Sequence, residues 1–266
     1  MNKKKFSMLL IAGHGQGDSG AVGNGHRESD MTRDLVARIR DNAVQRGIAV
    51  DVYDMNKNAV KQIKAGNMPP FAGHTYCFEV HFNSSGNQMA RGSMFYIHKD
   101  EDGWSVEQKI LDRLYALGSR KAWDGIVKSN RQWPEGLLVQ NRCKEHGVSH
   151  GLLETCFISN AEDCNWYFAN KDAIAAAIVD GIIDGFGLEK DCTDNTQTFQ
   201  PYMVKVVDTA LNIRKGHGTN TDIVGCITDN GSYTIVEEAD GPGSKKWGKL
   251  KSGAGWIALD EDLVRR

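Results

Sequence analysis

Several features are scarce in this chain of 266 residues, and each scarcity removes a class of function. No charge of one sign dominates: the formal net charge is −2 and the pI lies near 6.4. Without a long-range field, neither nucleic acid nor an anionic membrane surface is expected as a partner. The cysteines, at 77, 143, 156, 164, 192 and 226, form no CxxC pair. Disulfide frameworks serve much smaller secreted domains, so these are expected to be reduced thiols, mostly filling the core. Lys3-Lys4-Lys5 and the apolar stretch 6–12 have the outline of a signal peptide. That stretch is too short, lacks a small-residue cleavage site, and runs straight into a histidine motif. It is expected to be a buried first strand, in a chain made in the cytoplasm without signal peptide or membrane anchor. Repeats and low-complexity tracts are lacking as well.

What remains is ordinary and globular: 40% hydrophobic and 25% charged residues, enough to bury a real core. The apolar run 6–12 is followed by a glycine-rich loop to Gly25. A helix is expected from about Ser29 to Gly47, because Met31, Leu35, Val36, Ile39 and Ala43 fall on one helical face. A strand follows at 48–53. Residues 76–82 alternate, with Tyr76, Phe78, Val80 and Phe82 on one face and Cys77, Glu79 and His81 on the other. Further elements are expected at 93–97 (strand), 105–117 (helix), 148–154 (strand) and 172–186 (helix). Alternating strand and helix predict an α/β domain with a mostly parallel sheet flanked by helices. A polar stretch, 188–201, reads as a linker. Beyond it, short β-type runs at 202–207, 223–227, 232–237, 247–250 and 255–259 predict a small all-β barrel with balanced charges.

Four residues carry the chemistry. His14 follows the first strand, His81 and Glu154 end two others, and Glu28 stands where the first helix opens. In an open parallel sheet, functional groups gather beyond the carboxyl ends of the strands, so all four can meet at one edge. Two histidines and a glutamate are a known catalytic zinc set, open to water at a fourth position, and a second glutamate can serve as base.

The stretch Ile11-Ala12-Gly13-His14-Gly15-Gln16-Gly17-Asp18-Ser19-Gly20-Ala21, with Glu28 before a helix, resembles the zinc-dependent N-acetylmuramoyl-L-alanine amidases of the Amidase_3 type. Glu79-Val80-His81-Phe82-Asn83 and Gly151-Leu152-Leu153-Glu154-Thr155-Cys156-Phe157-Ile158-Ser159-Asn160 complete the likeness, which spans residues 6–187. It implies one zinc per chain held by His14, Glu28 and His81, with Glu154 as catalytic glutamate. Peptidoglycan would be the substrate. Leu211-Asn212-Ile213-Arg214-Lys215-Gly216 and Gly255-Trp256-Ile257 resemble bacterial SH3 domains of wall hydrolases. The expected organisation is therefore a catalytic domain at 1–187, a linker at 188–201 and an SH3-like wall-binding domain at 202–266. An amidase with such a module and no signal peptide is similar to phage or prophage endolysins, which reach the wall on lysis. Two departures stand out: Gln16 follows Gly15 where the family often has Gly-Gly, and Lys215-Gly216-His217-Gly218 replaces the commoner Ser-Gly-Pro-Gly of SH3 relatives.

Three rival readings are set against this one. Gly15-Gln16-Gly17-Asp18-Ser19-Gly20 matches GxGxxG, but a dinucleotide site needs its helix to open at once. Cys164 at a helix start would suit a cysteine wall peptidase. A binding protein without catalysis would need only the barrel. Among neighbours, Glu79 shares a strand face with His81, which leaves it either to orient that ring or simply to face solvent; Asn83 is expected to cap a turn, His26 to sit exposed, and His150 to be structural. Trp247 and Trp256 are expected to pack inside the barrel, while Trp123, Trp133 and Trp166 are candidates for a substrate groove.

Overall fold

The computed structural model describes residues 6–101, 103–188 and 201–265. Lys3–Lys5 and nearly all of the expected linker lie outside these. Contacts divide the chain into two compact units, Met1–Thr193 and Asp194–Arg266.

The first unit runs β1 (Met8–Ala12), β2 (Val22–Gly23), β3 (His26–Arg27), α1 (Glu28–Gln45), β4 (Val50–Val52), α2 (Ala59–Lys64) and β5 (Tyr76–Asn83). It continues with β6 (Ser93–Ile97), α3 (Ser105–Ala116), β7 (Lys121–Lys128), α4 (Leu138–Glu145), β8 (Ser149–Phe157) and α5 (Ala161–Phe186). Six strands form one sheet in the order β4-β1-β5-β8-β6-β7. The first four are mutually parallel; β6 runs antiparallel to β8 and carries β7 parallel to itself. The α/β expectation holds, with the mostly parallel sheet reversed at one side.

Strand alternation decides what lies on each face. Leu10, Ala12, Phe78, Val80 and Phe82 turn to one side, where Leu35 and Ile39 of α1, Ile110 and Leu114 of α3, and Ile178 and Ile182 of α5 bury them. Each such aliphatic side chain, fully withdrawn from water, is worth about 1.5–3 kcal/mol. Leu9, Ile11 and Cys77 turn to the other side, under Ala59 and Ile63 of α2 and Val139 and Cys143 of α4. These two helices have only six and eight residues, so they cover one part of that face.

Helix α5 starts eleven residues before the expected 172. Its first turn is polar and shows no apolar period, yet it is well anchored. Asn160 Oδ1 accepts from Asp163 N (3.0 Å), and the buried Asp163 carboxylate accepts from Gly92 N (2.7 Å) and Phe157 N (2.8 Å). Strand β7 also lacks an apolar signal, since it is an edge strand with only Ala122, Gly125 and Val127 buried.

The second unit comprises β9 (Tyr202–Val206), β10 (Leu211–Arg214), β11 (Ile223–Ile227), β12 (Ser232–Gly241), β13 (Ser244–Leu250), β14 (Trp256–Ala258) and β15 (Val264–Arg265). All pairings are antiparallel, in the order β11-β10-β14-β13-β12-β9-β15. Val204, Val206, Ile235, Leu250 and Ile257 form its core. Trp247 and Trp256 are buried, as expected of packing residues, and His217 stands edge-on to Trp256 at 5.2 Å.

Candidate active site

The chain leaves β1 through Gly13 into His14, whose backbone is left-handed at φ 62°. That conformation is unusual for a residue with a Cβ and needs outside support. Arg33 of α1 supplies it: its guanidinium donates to Gly13 O (2.7 Å), His14 O (2.8 Å) and Met55 O (2.9 Å). Thr32 Oγ1 adds a bond to Gly13 O at 2.9 Å. The loop then closes on itself through Gly15 N to Asp18 O (2.8 Å) and Asp18 N to Gly15 O (3.0 Å). A two-residue hairpin, β2 with β3, brings the chain back so that Glu28 opens α1.

His14, Glu28 and His81 meet. One ligand atom from each lies within 4.8 Å of the others. His14 Nε2 is 3.1 Å from Glu28 Oε2, and His81 Nδ1 is 2.9 Å from Glu28 Oε1. The two rings are edge to face with centroids 4.9 Å apart. Glu28 is buried and also accepts from Ala21 N (2.9 Å) and Phe82 N (3.0 Å). Burial opposes its ionisation, but hydrogen bonds from His14 and His81 outweigh it and hold the carboxyl well below the ordinary range. Burial likewise works against charge on the two imidazoles. The Glu28 contact nonetheless raises His14, and Glu28 with Glu79 raises His81 well above its ordinary value.

The outer ring nitrogens are held too. His14 Nδ1 faces Asp18 Oδ2 at 3.0 Å, and Asn58 Nδ2 donates to the same oxygen at 3.1 Å. His81 Nε2 faces Glu79 Oε1 at 3.2 Å, and the other oxygen of Glu79 faces His150 Nε2 at 3.2 Å. Glu79 is buried; the His150 and His81 hydrogen bonds overcome that burial and pull it down to about 2. Carboxylates of this kind fix the tautomer and orientation of a metal-binding imidazole. Of the two readings its strand face left open, the buried contact with His81 is the one found, and Glu79 does not face solvent. Asp18 and Arg33 were not foreseen; the one available signal was an aspartate four residues beyond His14 in a closed loop.

Glu154 of β8 is the register partner of His81 on β5. Its Oε2 is buried and has no hydrogen-bond partner. Burial raises its carboxyl to about 7, against the pull of His81. A buried carboxylate oxygen left unpaired costs stability and marks a functional position. Donor chemistry and this orphaned oxygen fit a cation cradle with a base beside it.

Other candidates fall elsewhere. His26 packs on Phe168 at 4.3 Å. Asn83 accepts from Ser84 N at 2.8 Å, as a turn cap would. Trp166 donates to Leu117 O and Trp133 packs on Tyr96 at 5.0 Å, so both are structural. Trp123 is exposed, left-handed, and lines a cavity of about 340 Å³ with Tyr96, Val127, Arg131 and Gln132. The dinucleotide reading fails because α1 opens only at Glu28, after a hairpin, and His14 has another partner set. The thiol of Cys164 is buried, raised by that burial, and bonded to Ile158 O at 3.4 Å, the opposite of an activated nucleophile.

The profile of N-acetylmuramoyl-L-alanine amidases, Amidase_3, matches residues 8–184. The chain belongs to that family. Amidase_3 proteins are zinc-dependent, and the His14–Glu28–His81 group lies within the matched region. Among curated proteins, the probable autolysin PH of Staphylococcus aureus is 26% identical over 279 residues, covering 87% of this chain and 56% of that protein. The N-acetylmuramoyl-L-alanine amidase LytC of Bacillus subtilis is 27% identical over 183 residues, covering 66% of this chain and 35% of the relative. The chain thus spans about half and about a third of their lengths. Among solved structures, the catalytic domain of the CD27L endolysin targeting Clostridia difficile superposes with TM-score 0.56 at 22% identity, covering 67% of this chain and 97% of that one. The amidase AmiC2 of Nostoc punctiforme gives 0.53 at 19%, covering 68% and 97%. These last two speak for the fold.

One glycine tests the cradle of this Amidase_3 chain. A Cβ on Gly13 would stand 2.3 Å from His81 Cε1 and 2.4 Å from Nε2. Gly13→Ala is expected to displace that ring, lowering cation affinity roughly tenfold or more while far-ultraviolet circular dichroism stays unchanged. Titration with a competing chelator measures it; wild-type affinity in the variant would refute the packing argument.

Proposed function

We propose that this chain is a peptidoglycan hydrolase that cleaves the amide bond between N-acetylmuramic acid and L-alanine. One zinc ion would sit on His14, Glu28 and His81, with Glu154 as the catalytic acid–base. The observation that supports this most directly is the convergence of the three ligand atoms within 4.8 Å, beside a glutamate whose buried Oε2 has no partner. When bound, zinc would supply Lewis acidity to the amide carbonyl and to the attacking water. Glu154 takes the water's proton and delivers it to the leaving nitrogen. Asp18 and Glu79 keep the two imidazoles turned inward. Mass analysis of muropeptides after digestion decides the bond. New L-alanine amino termini beside intact muramic acid support amide cleavage; cuts within the peptide or between sugars would reject it.

The pH dependence has a definite sign. Glu154 acts as base only when ionised, and burial raises its carboxyl to about 7, so the base form is lost as pH falls through that value. His14 and His81, both raised, also take up protons in this direction and compete with a cation. The rate is expected to fall by at least about tenfold per pH unit below about pH 7, one factor of ten for each proton taken up. A rate unchanged down to about pH 4 would contradict both assignments.

The division of labour follows the likeness noted above: residues 1–187 catalyse and residues 202–266, as an SH3-like module, tether the enzyme to the wall. Among the described residues no helix is long and apolar enough to cross a membrane. Release to the wall by phage-type lysis completes this reading. Tethering raises local concentration on a polymer. Removing 201–266 is expected to lower lysis of intact walls at least about tenfold and to leave cleavage of soluble fragments unchanged. Intact wall binding and lysis in the shortened chain would end this assignment.

A further inference from the structure

Two rungs down the sheet from His81 lies a second cluster that amide cleavage does not use. Cys77 of β5 and His150 of β8 are direct register partners, and Cys143 reaches them from the last turn of α4. Both cysteines are fully buried and His150 is 3% exposed. One ligand atom from each of the three lies within 4.8 Å of the others. His150 Nε2 faces Glu79, but its Nδ1 is buried without any hydrogen-bond partner. A desolvated imidazole nitrogen left unpaired beside two thiols is a poor use of a protein interior, and a ligated cation satisfies all three atoms together.

We propose that Cys77, Cys143 and His150 form a second, structural metal site for a soft d10 cation, Zn2+ or Cu+, distinct from the cradle of His14, Glu28 and His81. Two thiolates and an imidazole select such ions over hard ones such as Mg2+ or Ca2+. Ligation through Nδ1 leaves the His150 proton on Nε2, which then donates to Glu79. Glu79 spans 3.2 Å to His150 on one oxygen and 3.2 Å to His81 on the other. The buried cation therefore braces the carboxylate that orients a catalytic-site histidine. The assignment rests on this cluster alone and survives or fails independently of the amidase reading.

The cradle contains no sulfur ligand, so thiolate-to-metal charge transfer reports the second site specifically. Full-length reduced protein is titrated with Co2+, as the optical substitute for Zn2+, and separately with Cu+. Near-ultraviolet charge-transfer absorption is expected with at least one of the two ions, saturating at one equivalent in His14→Ala, where the cradle no longer competes. The band should persist in His14→Ala and vanish in Cys143→Ser. If Cys143→Ser fails to fold, cadmium-113 NMR of the wild type decides. A thiolate-shifted resonance beside a nitrogen- and oxygen-ligated one supports the site, and the latter alone overturns it. A band that survives in Cys143→Ser, or a Cys77–Cys143 disulfide in purified protein that takes up no ion at this site, overturns it as well.

Discussion

Glu154→Gln is expected to lower turnover by about 10²–10⁴-fold, the usual worth of a positioned acid–base group, while metal content stays at the wild-type level. The glutamine is nearly isosteric, so substrate and ligands keep their places and only the ability to accept and return a proton is removed. Stability should move in the opposite direction. The folded carboxyl titrates at about 7, above its ordinary value of 4.5, because burial disfavours its charge. A raised carboxyl binds its proton more tightly in the folded state, so wild-type protein loses stability as pH rises from about 5 through 7. At pH 8 that cost is on the order of 3 kcal/mol for a shift of this size. Chelated Glu154→Gln should therefore outlast chelated wild type in denaturant at pH 8, with the gap closing toward pH 5. A variant that is both inactive and less stable at pH 8 would point to a structural role for Glu154. Undiminished turnover would remove it from the mechanism.

Much of this arrangement was legible because the relevant residues sit where strands end. His14 after β1, His81 near the end of β5 and Glu154 near the end of β8 follow from apolar runs whose length and alternation are plain in the chain. The sheet order then brings those ends together, since β1, β5 and β8 are consecutive neighbours. The apolar face of α1 places Glu28 at the mouth of that helix, where a helix N-terminal charge is the ordinary reading; only the family resemblance marked it as a ligand. What escaped detection has weak periodicity or none. Helices α2 and α4 are too short to show a face, and α5 begins with a polar turn held by Asn160 and Asp163. Strand β7 is an edge with little to bury. Arg33 acts through backbone carbonyls of Gly13, His14 and Met55, contacts that leave no trace in residue type. The cysteines are an instructive case. Cys77 and Cys143 are core residues, as expected, yet the parallel pairing of β5 with β8 sets Cys77 opposite His150, which no spacing in the chain reveals.

The site holds two carboxylates whose environments push their proton affinities apart, and this contrast yields the second large effect. Glu154 is buried with an unpartnered oxygen and is raised to about 7; Glu28 is buried among two backbone amides and two imidazoles and is held well below the ordinary range. Opposed shifts within one site are what the proposed division between a proton carrier and a permanently charged ligand requires. Glu28→Ala should therefore abolish cation binding rather than merely slow the chemistry. On the proposed assignment it deletes one ligand, and it also removes the negative charge toward which His14 Nε2 and His81 Nδ1 converge at 3.1 and 2.9 Å. Affinity at the cradle is expected to fall by at least about 100-fold and activity to background, since loss of even an outer-shell partner costs 10–100-fold. Excess Zn2+ should fail to restore activity, whereas chelated wild type should recover on adding it. The stability effect has the opposite sign to that of Glu154→Gln. A depressed carboxyl stabilises the fold above its unfolded value near 4.5 and loses that contribution as pH falls. Glu28→Ala should accordingly be destabilised most at neutral pH, where two backbone N–H groups also lose their acceptor. Elemental analysis showing a full cradle in Glu28→Ala, or neutral-pH stability equal to wild type, would contradict the assignment of Glu28 as the charged anchor of the site.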